Sequence, residues 1–429
     1  MTTIRRRELL LASGGLSLGL LASHFASAAG LGNGWPQWRR QLRAMRWGIV
    51  PTGNTLPGIN PARDPALNPR LASNPNDDRG PWGGVLGMAG IIVPWCGACY
   101  DRDADALWLP LGGGHADYAG NEAYTLCLAD ELPTWRMPRP PSGSIPLGLI
   151  DLNDGQEASG DYADGRPRAI HSYNKHCYVP GLGPLCTVQG STAFSGQAGT
   201  ARTLLLNEMD GEWSTLTSHP AMGVGYGAAC YDSSLNRVWW LGAGTSKLSW
   251  LDLDLQQWNL LSSGSTSQEW SYHALTHVPG HEILVQLSDD IANGFAVWDI
   301  SSGQRLNPGV DNTRPAHLAS AGGKAGGVWV PSLNAIALWH NTTLGSTGAI
   351  SLLRAPDQPR DQPWSWDSLA LLDNAVLPST AQAAGTYGRF GYAPNLDGFY
   401  LLNSLGGPLL FFALSDGNGV FASGFEQPA

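Results

Sequence analysis

The sequence predicts an all-β chain: a six-bladed β-propeller closed by an N-terminal strand, with a seventh blade between Trp135 and Ala169 as the alternative. Three observations lead there. Only 14% of the 429 residues are charged, while Gly (55), Pro (30) and Trp (18) abound, a composition of short strands and tight turns. One strand-turn-strand unit recurs along the chain. The last copy of that unit stops one strand short.

The unit is clearest in WCGACYDRDADALWLPLGG from Trp95 and YGAACYDSSLNRVWWLGAG from Tyr226. Each is a strand ending in Cys-Tyr-Asp, a polar turn, a second apolar strand, then glycine. Looser copies start at His171, Tyr272, Gly326 and Tyr387, with Pro where the first two carry a polar turn residue. A third strand follows each pair (EAYTLCL, ARTLLLN, LSWLDLD, FAVWDIS, AISLLRA, LLFFALS). A fourth piece often carries Trp: Trp135, Trp213, Trp258 and Trp366. Four strands per 45–80 residues is blade spacing. After LLFFALS the chain has no fourth strand left, and MRWGIVPTGN around Trp47 supplies one, which closes the ring and hides a sheet edge.

Residues 1–28 read as an export signal. Arg5, Arg6 and Arg7 precede a short apolar run, and Ala26-Ser27-Ala28 fits a cleavage site of the twin-arginine type. Residues 29–85 form an N-terminal segment with the closing strand, 86–415 the propeller and 416–429 a tail. Losing Arg5, Arg6, Arg7 and Glu8 takes the formal charge from -10 to about -12. That disfavours nucleic acid and anionic membranes as partners. A periplasmic or secreted location permits disulfides, and Cys177 and Cys186, flanking a Gly-Pro turn, are the expected bridge. The Cys96–Cys99 spacing lacks the following helix of a redox motif. No motif specifies a metal or a cofactor, and the oligomeric state is unspecified.

In a propeller the first strand of each blade lines the central channel. Its entrance and the loop between strands two and three share one face. HADYAGN lies in such a loop, which brings His115, Asp117 and Tyr118 to that face after a glycine hinge. Stepping back five to seven residues from each turn gives the entrances: Trp95; Tyr173, with His171 and Arg168 just before; Tyr226; Tyr272 and His273; Lys324; Tyr387 and Arg389. Packing alone would favour Val, Ile and Thr. The competing structural readings are a hydrogen bond from His115 to a neighbouring blade, a capping Asp117, and tyrosines that pack with a wet hydroxyl. Asn121 and Glu122 read as structural, and His219, His281, His317 and His340 as surface residues.

The strand, glycine and Trp pattern resembles Kelch-type propellers and the central domain of galactose oxidases over roughly residues 86–415. A Tyr, His and Arg set without a carboxylate pair suits proton transfer. With export and architecture, it resembles secreted bacterial propeller lyases that act on ulvan-type polymers. That resemblance implies β-elimination on a uronic-acid polysaccharide. Arg389 or Arg168 would neutralise the sugar carboxylate, and His115, His171, His273, Tyr173 and Tyr226 would move the protons. Trp95, Asp117, Tyr118, Tyr272, Lys324 and Tyr387 would bind substrate. The alternatives are a non-catalytic propeller that binds a glycan or a protein, and a copper radical oxidase, whose adjacent Tyr-His ligands Tyr272-His273 resemble. Glycoside hydrolysis wants two nearby acids, and Asp117 stands alone on the expected face.

Overall fold

In this computed structural model the residues described are 34–114, 116–143, 157–192, 199–220, 227–242, 248–261, 272–288, 294–315, 318, 324–340, 348–372 and 376–417. They form six four-stranded antiparallel sheets and one two-stranded ribbon, with a single short helix, Gln37–Arg40. The first strands are Cys99–Asp101, His176–Val179, Gly227–Asp232, Ala274–Val278, Gly326–Val330 and Phe390–Ala393. Each stands at one end of its sheet, and consecutive ones touch around a ring. Between the sixth and first blades the Tyr100 and Tyr400 rings stack at 4.7 Å. The architecture is a six-bladed β-propeller.

Arg46–Ile49 completes the sixth blade, pairing antiparallel with Leu409–Ala413 in the register Trp47 to Phe412. Trp47 is buried, meets the Phe412 ring edge-on and donates to the Gly348 carbonyl at 2.8 Å. The strand therefore joins the first and last parts of the chain and covers the outer edge of Leu409–Ala413. The region between Trp135 and Ala169 holds no seventh sheet among the described residues. It gives the first blade its fourth strand, Arg136–Arg139, and then a turn bridged from Asp161 to Pro167.

The turns explain the recurring Asp and Pro. Asp101 and Asp232 accept from the backbone N–H groups two and three residues on, closing Asx turns before the second strand. In blades five and six Pro331 and Pro394 start a 3-10 turn that ends on left-handed Asn334 and Asp397. Around the axis neighbouring backbones come very close. A Cβ on Gly97 would sit 2.1 Å from the Tyr173 carbonyl oxygen, so only glycine fits there.

The expected Cys177–Cys186 bridge is absent, and all six cysteines are free thiols. The strands do pair, but Cys177 lies opposite Leu185 and Cys186 opposite His176. The two side chains therefore leave opposite faces of the sheet, which no disulfide can span. Cys177 packs toward the third blade and Cys186 into a cluster with Leu111 and Ile170. Residues 1–28, expected to be an export signal, lie outside the described residues, as does most of the tail. Among the described residues no helix is long and apolar enough to cross a membrane.

Candidate functional site at the first-strand entrances

Four aromatic residues enter their blades with a left-handed backbone: Trp95 (φ 49°), Tyr173 (46°), Tyr272 (21°) and Tyr387 (47°). The turn lets two of these peptides bond a neighbour across the ring. Tyr173 N donates to the Trp95 carbonyl at 2.7 Å, and Tyr387 N to the Lys324 carbonyl at 3.1 Å. For a residue with a Cβ this conformation costs about 1–2 kcal/mol. A glycine would relieve it, and this chain places Gly97 and Gly388 one or two positions after Trp95 and Tyr387. Bulky rings held in strain at one spot mark a place where the rings themselves matter.

The rings converge. Trp95 lies 5.1 Å from the His171 ring and 6.2 Å from Tyr272, nearly parallel to it. Tyr173 lies 5.8 Å from Tyr272 and 6.1 Å from Tyr387. The Lys324 ammonium sits 5.1 Å over the Tyr272 ring. Tyr387, fully buried, is the floor, and its hydroxyl has no partner among the described residues. Tyr173 and His171 are mostly buried above it, while Trp95, Tyr272, Lys324 and Asp117 are part-exposed and form the rim.

Asp117 reaches the site from the loop between strands two and three of the first blade. Its Oδ2 lies 2.9 Å from His171 Nε2, and burial raises its carboxyl above the usual range. Gly113 and Gly114, both with positive φ, turn the chain there, and Gly114 N donates to the Tyr118 carbonyl at 2.6 Å. The N-terminal segment braces the loop from outside. Val85 N and Leu86 N donate to the Ala116 and Asp117 carbonyls, and Trp82 Nε1 to Ser142. Inside, the Tyr118 and Tyr124 hydroxyls both donate to Glu122 Oε1, at 2.9 and 3.0 Å. Glu122 is buried and its other oxygen has no partner among the described residues; burial raises the carboxyl to about 7. Asn121 ties the same loop to Ser142 and the Pro167 carbonyl. The structural expectation for Asn121 and Glu122 holds.

Other expected site residues lie elsewhere. Arg389 is fully buried and spends its donors on the carbonyls of Cys96, Leu402, Asn403 and Gly385. It staples the sixth blade to the first and presents no fork to a ligand. Arg168 is buried too, bonded to the Asp161 carbonyl and stacked 4.7 Å over Tyr162. Tyr118 is core. His273 is buried, with Nε2 at 2.7 Å from the Leu241 carbonyl, so Tyr272 and His273 do not turn to one ligand as an adjacent copper pair would. His115 and Tyr226 lie outside the described residues. His219 and His340, expected at the surface, are buried against Ser249 and Thr386. Burial, with Lys324 and Arg389 nearby, lowers His340 to about 4.

Two residues escaped sequence reasoning. The Asn174 side chain crosses from the second blade to the His273 carbonyl of the fourth at 2.9 Å, narrowing the channel just below the rings. Lys175 is buried under Tyr173, its ammonium 5.4 Å from that ring and 3.2 Å from the Gln189 carbonyl, and burial lowers it to about 8. Both directly follow Tyr173, and their position one step inside an entrance was the available signal.

No protein-family model matches the chain, and no curated protein matches its sequence. Among solved structures it is similar to an auxiliary nutrient binding protein from Bacteroides thetaiotaomicron, with 9% identity and a TM-score of 0.42, over 75% of this chain and 68% of that one. That likeness is too remote to carry a ligand or an activity from one protein to the other.

Proposed function

We propose that this chain is a binding propeller that holds a glycan against the aromatic rim of Trp95 and Tyr272. The observation that carries this reading is the set of strained aromatic entrances. Flat rings stack on the apolar C–H faces of sugars. Asp117, His171 and the Lys324 ammonium lie beside them to take hydroxyl or carboxylate groups. Binding fits this site better than β-elimination, because both arginines expected to neutralise a uronate are buried on backbone carbonyls. One observation keeps elimination as the second reading. The His171–Asp117 pair stands beside Tyr173 and Tyr272, with Lys324 as a cation for the carboxylate. The same proposal places the chain in the periplasm or outside the cell, its signal removed; N-terminal sequencing of the mature protein checks this.

The test is affinity electrophoresis against neutral and uronic-acid polysaccharides, with wild type and Trp95→Ala. Retardation by at least one polysaccharide, weakened roughly tenfold in the variant (a loss of about 1.4 kcal/mol), is expected. Retardation without a rise in the ultraviolet absorbance of unsaturated uronates supports binding, and a steady rise supports the lyase. No retardation by any of them overturns both.

A further inference from the structure

The opposite end of the channel carries a second feature. A cavity of about 400 Å³ opens between the turns that join strands one and two, on the face away from Trp95 and Tyr272. At the same place before each turn every blade contributes a ring to its wall (Tyr100, Tyr178, Tyr231, His277, Trp329 and Tyr392), and His176, Phe390 and Tyr400 line it as well. One residue further in, the first three blades contribute Cys99, Cys177 and Cys230, and the others Thr276, Val328 and Gly391. Asn174 lines the upper part, where its side chain reaches across to His273.

The polar ends of the ring residues are turned away. Tyr100 donates to Asp105 at 2.9 Å and Tyr231 to Asn236 at 3.2 Å, both in the turns. Tyr178 lies near the Glu208 and Asp101 carboxylates, and Tyr392 near Ser332. His277 Nδ1 lies 3.5 Å from Asp232. The wall is therefore made of ring bodies rather than hydroxyls. Burial raises the three thiols and so keeps them protonated, and it lowers His176 to about 3, so that ring is neutral. Arg102 and Asp103 stand in the turn at the mouth, and among the described residues no carboxylate, Lys or Arg lines the channel above them.

We infer that the lower channel is a binding site for an uncharged, flat aromatic molecule the size of an indole or a phenol. A charged ligand would leave its charge unpaired among neutral walls, and a sugar would leave most of its hydroxyls unbonded. A flat apolar ring gains contact with the aromatic wall and with the polarisable sulfurs. This site is separate from the glycan reading, because it lies on the other face and shares no residue with the rim.

Three thiols in the wall and one outside it give the test. Cys127 is part-exposed on the outer side of the first blade and does not line the channel. Wild-type protein is treated with N-ethylmaleimide at about pH 9, for long enough that Cys230 reacts measurably without indole, then with indole, and alkylation at each cysteine is followed by mass spectrometry. Indole at about ten times its Kd is expected to slow Cys230 by roughly tenfold and to leave Cys127 unchanged. Thr276→Phe, which fills the channel from the fourth blade, is expected to abolish that protection, whereas Trp95→Ala leaves it intact. Should Thr276→Phe fail to fold, the comparison of Cys230 with Cys127 in wild type stands alone. Equal rates at Cys230 with and without indole, or equal slowing at Cys127, overturn the inference.

Discussion

Replacing Glu122 by Gln isolates the electrostatics under the Asp117 loop. Burial raises the Glu122 carboxyl from 4.5 to about 7, opposed by the two tyrosine hydroxyls on Oε1. The titratable groups against it are Tyr118, Tyr124 and Tyr162, none of them cationic at neutral pH. A folded value above the unfolded one means that the stability is fully present below about 4.5 and is lost as pH rises through about 7. A shift of about 2.5 units at about 1.4 kcal/mol each gives about 3 kcal/mol in all. Most of that, about 2–3 kcal/mol, falls between pH 5 and pH 8. Gln keeps the acceptor for both hydroxyls and cannot ionise. Urea denaturation of wild type and Glu122→Gln at both pH values reads the difference. The variant is expected to gain about 2–3 kcal/mol on wild type between pH 5 and pH 8. A difference that is the same at both pH values would refute the reasoning, since it would mean that Glu122 is already ionised, or never ionises, across that range.

Three further predictions concern the ring and its rim. Trp47→Ala removes the buried indole of the closing strand and is expected to lower unfolding stability by about 3–5 kcal/mol, seen as a lower urea midpoint; an unchanged midpoint would mean that the first and last segments are not joined there. Ellman's reagent in denaturant, without reductant, is expected to count all six thiols, and a lower count would restore a disulfide. Asp117→Ala, which removes the acceptor 2.9 Å from His171, is expected to weaken glycan retardation about two- to tenfold, while Asp117→Asn keeps most of it; equal losses in the two would show that charge rather than the hydrogen bond matters.

The architecture was legible because blade grammar is local. Asp or Pro at a turn, apolar strands on either side and a late Trp all sit within one unit. The missing strand at the end could be found by counting. The entrances were legible for the same reason, since a step of five to seven residues back from each turn lands on Trp95, Tyr173, Tyr272 and Tyr387. The state of each side chain was not. Arg389 sits in the same row as those rings, yet the carbonyls of Cys96, Leu402 and Gly385 needed a donor, and only the closed ring reveals that need. The Cys177–Cys186 spacing suited a hairpin bridge, but a shift of one residue in register put the sulfurs on opposite faces. Residues 50–92 run in 3-10 turns with little strand or helix periodicity, so their bracing of the Asp117 loop could not be read from pattern. The lower ring of Tyr100, Tyr178, Tyr231, His277, Trp329 and Tyr392 was in plain view as the residue after each Cys, Thr, Val or Gly. Its convergence depends on six blades closing on one axis, which no single unit displays.

Crystals soaked with an oligosaccharide from any polysaccharide that retards the protein would settle where the sugar sits. Sugar density stacked on Trp95 or Tyr272, within hydrogen-bond reach of Asp117, His171 or Lys324, is the expected result. Sugar bound only in the lower channel or on the outer strands, with the rim bare, would contradict the assignment of the strained entrances to ligand binding.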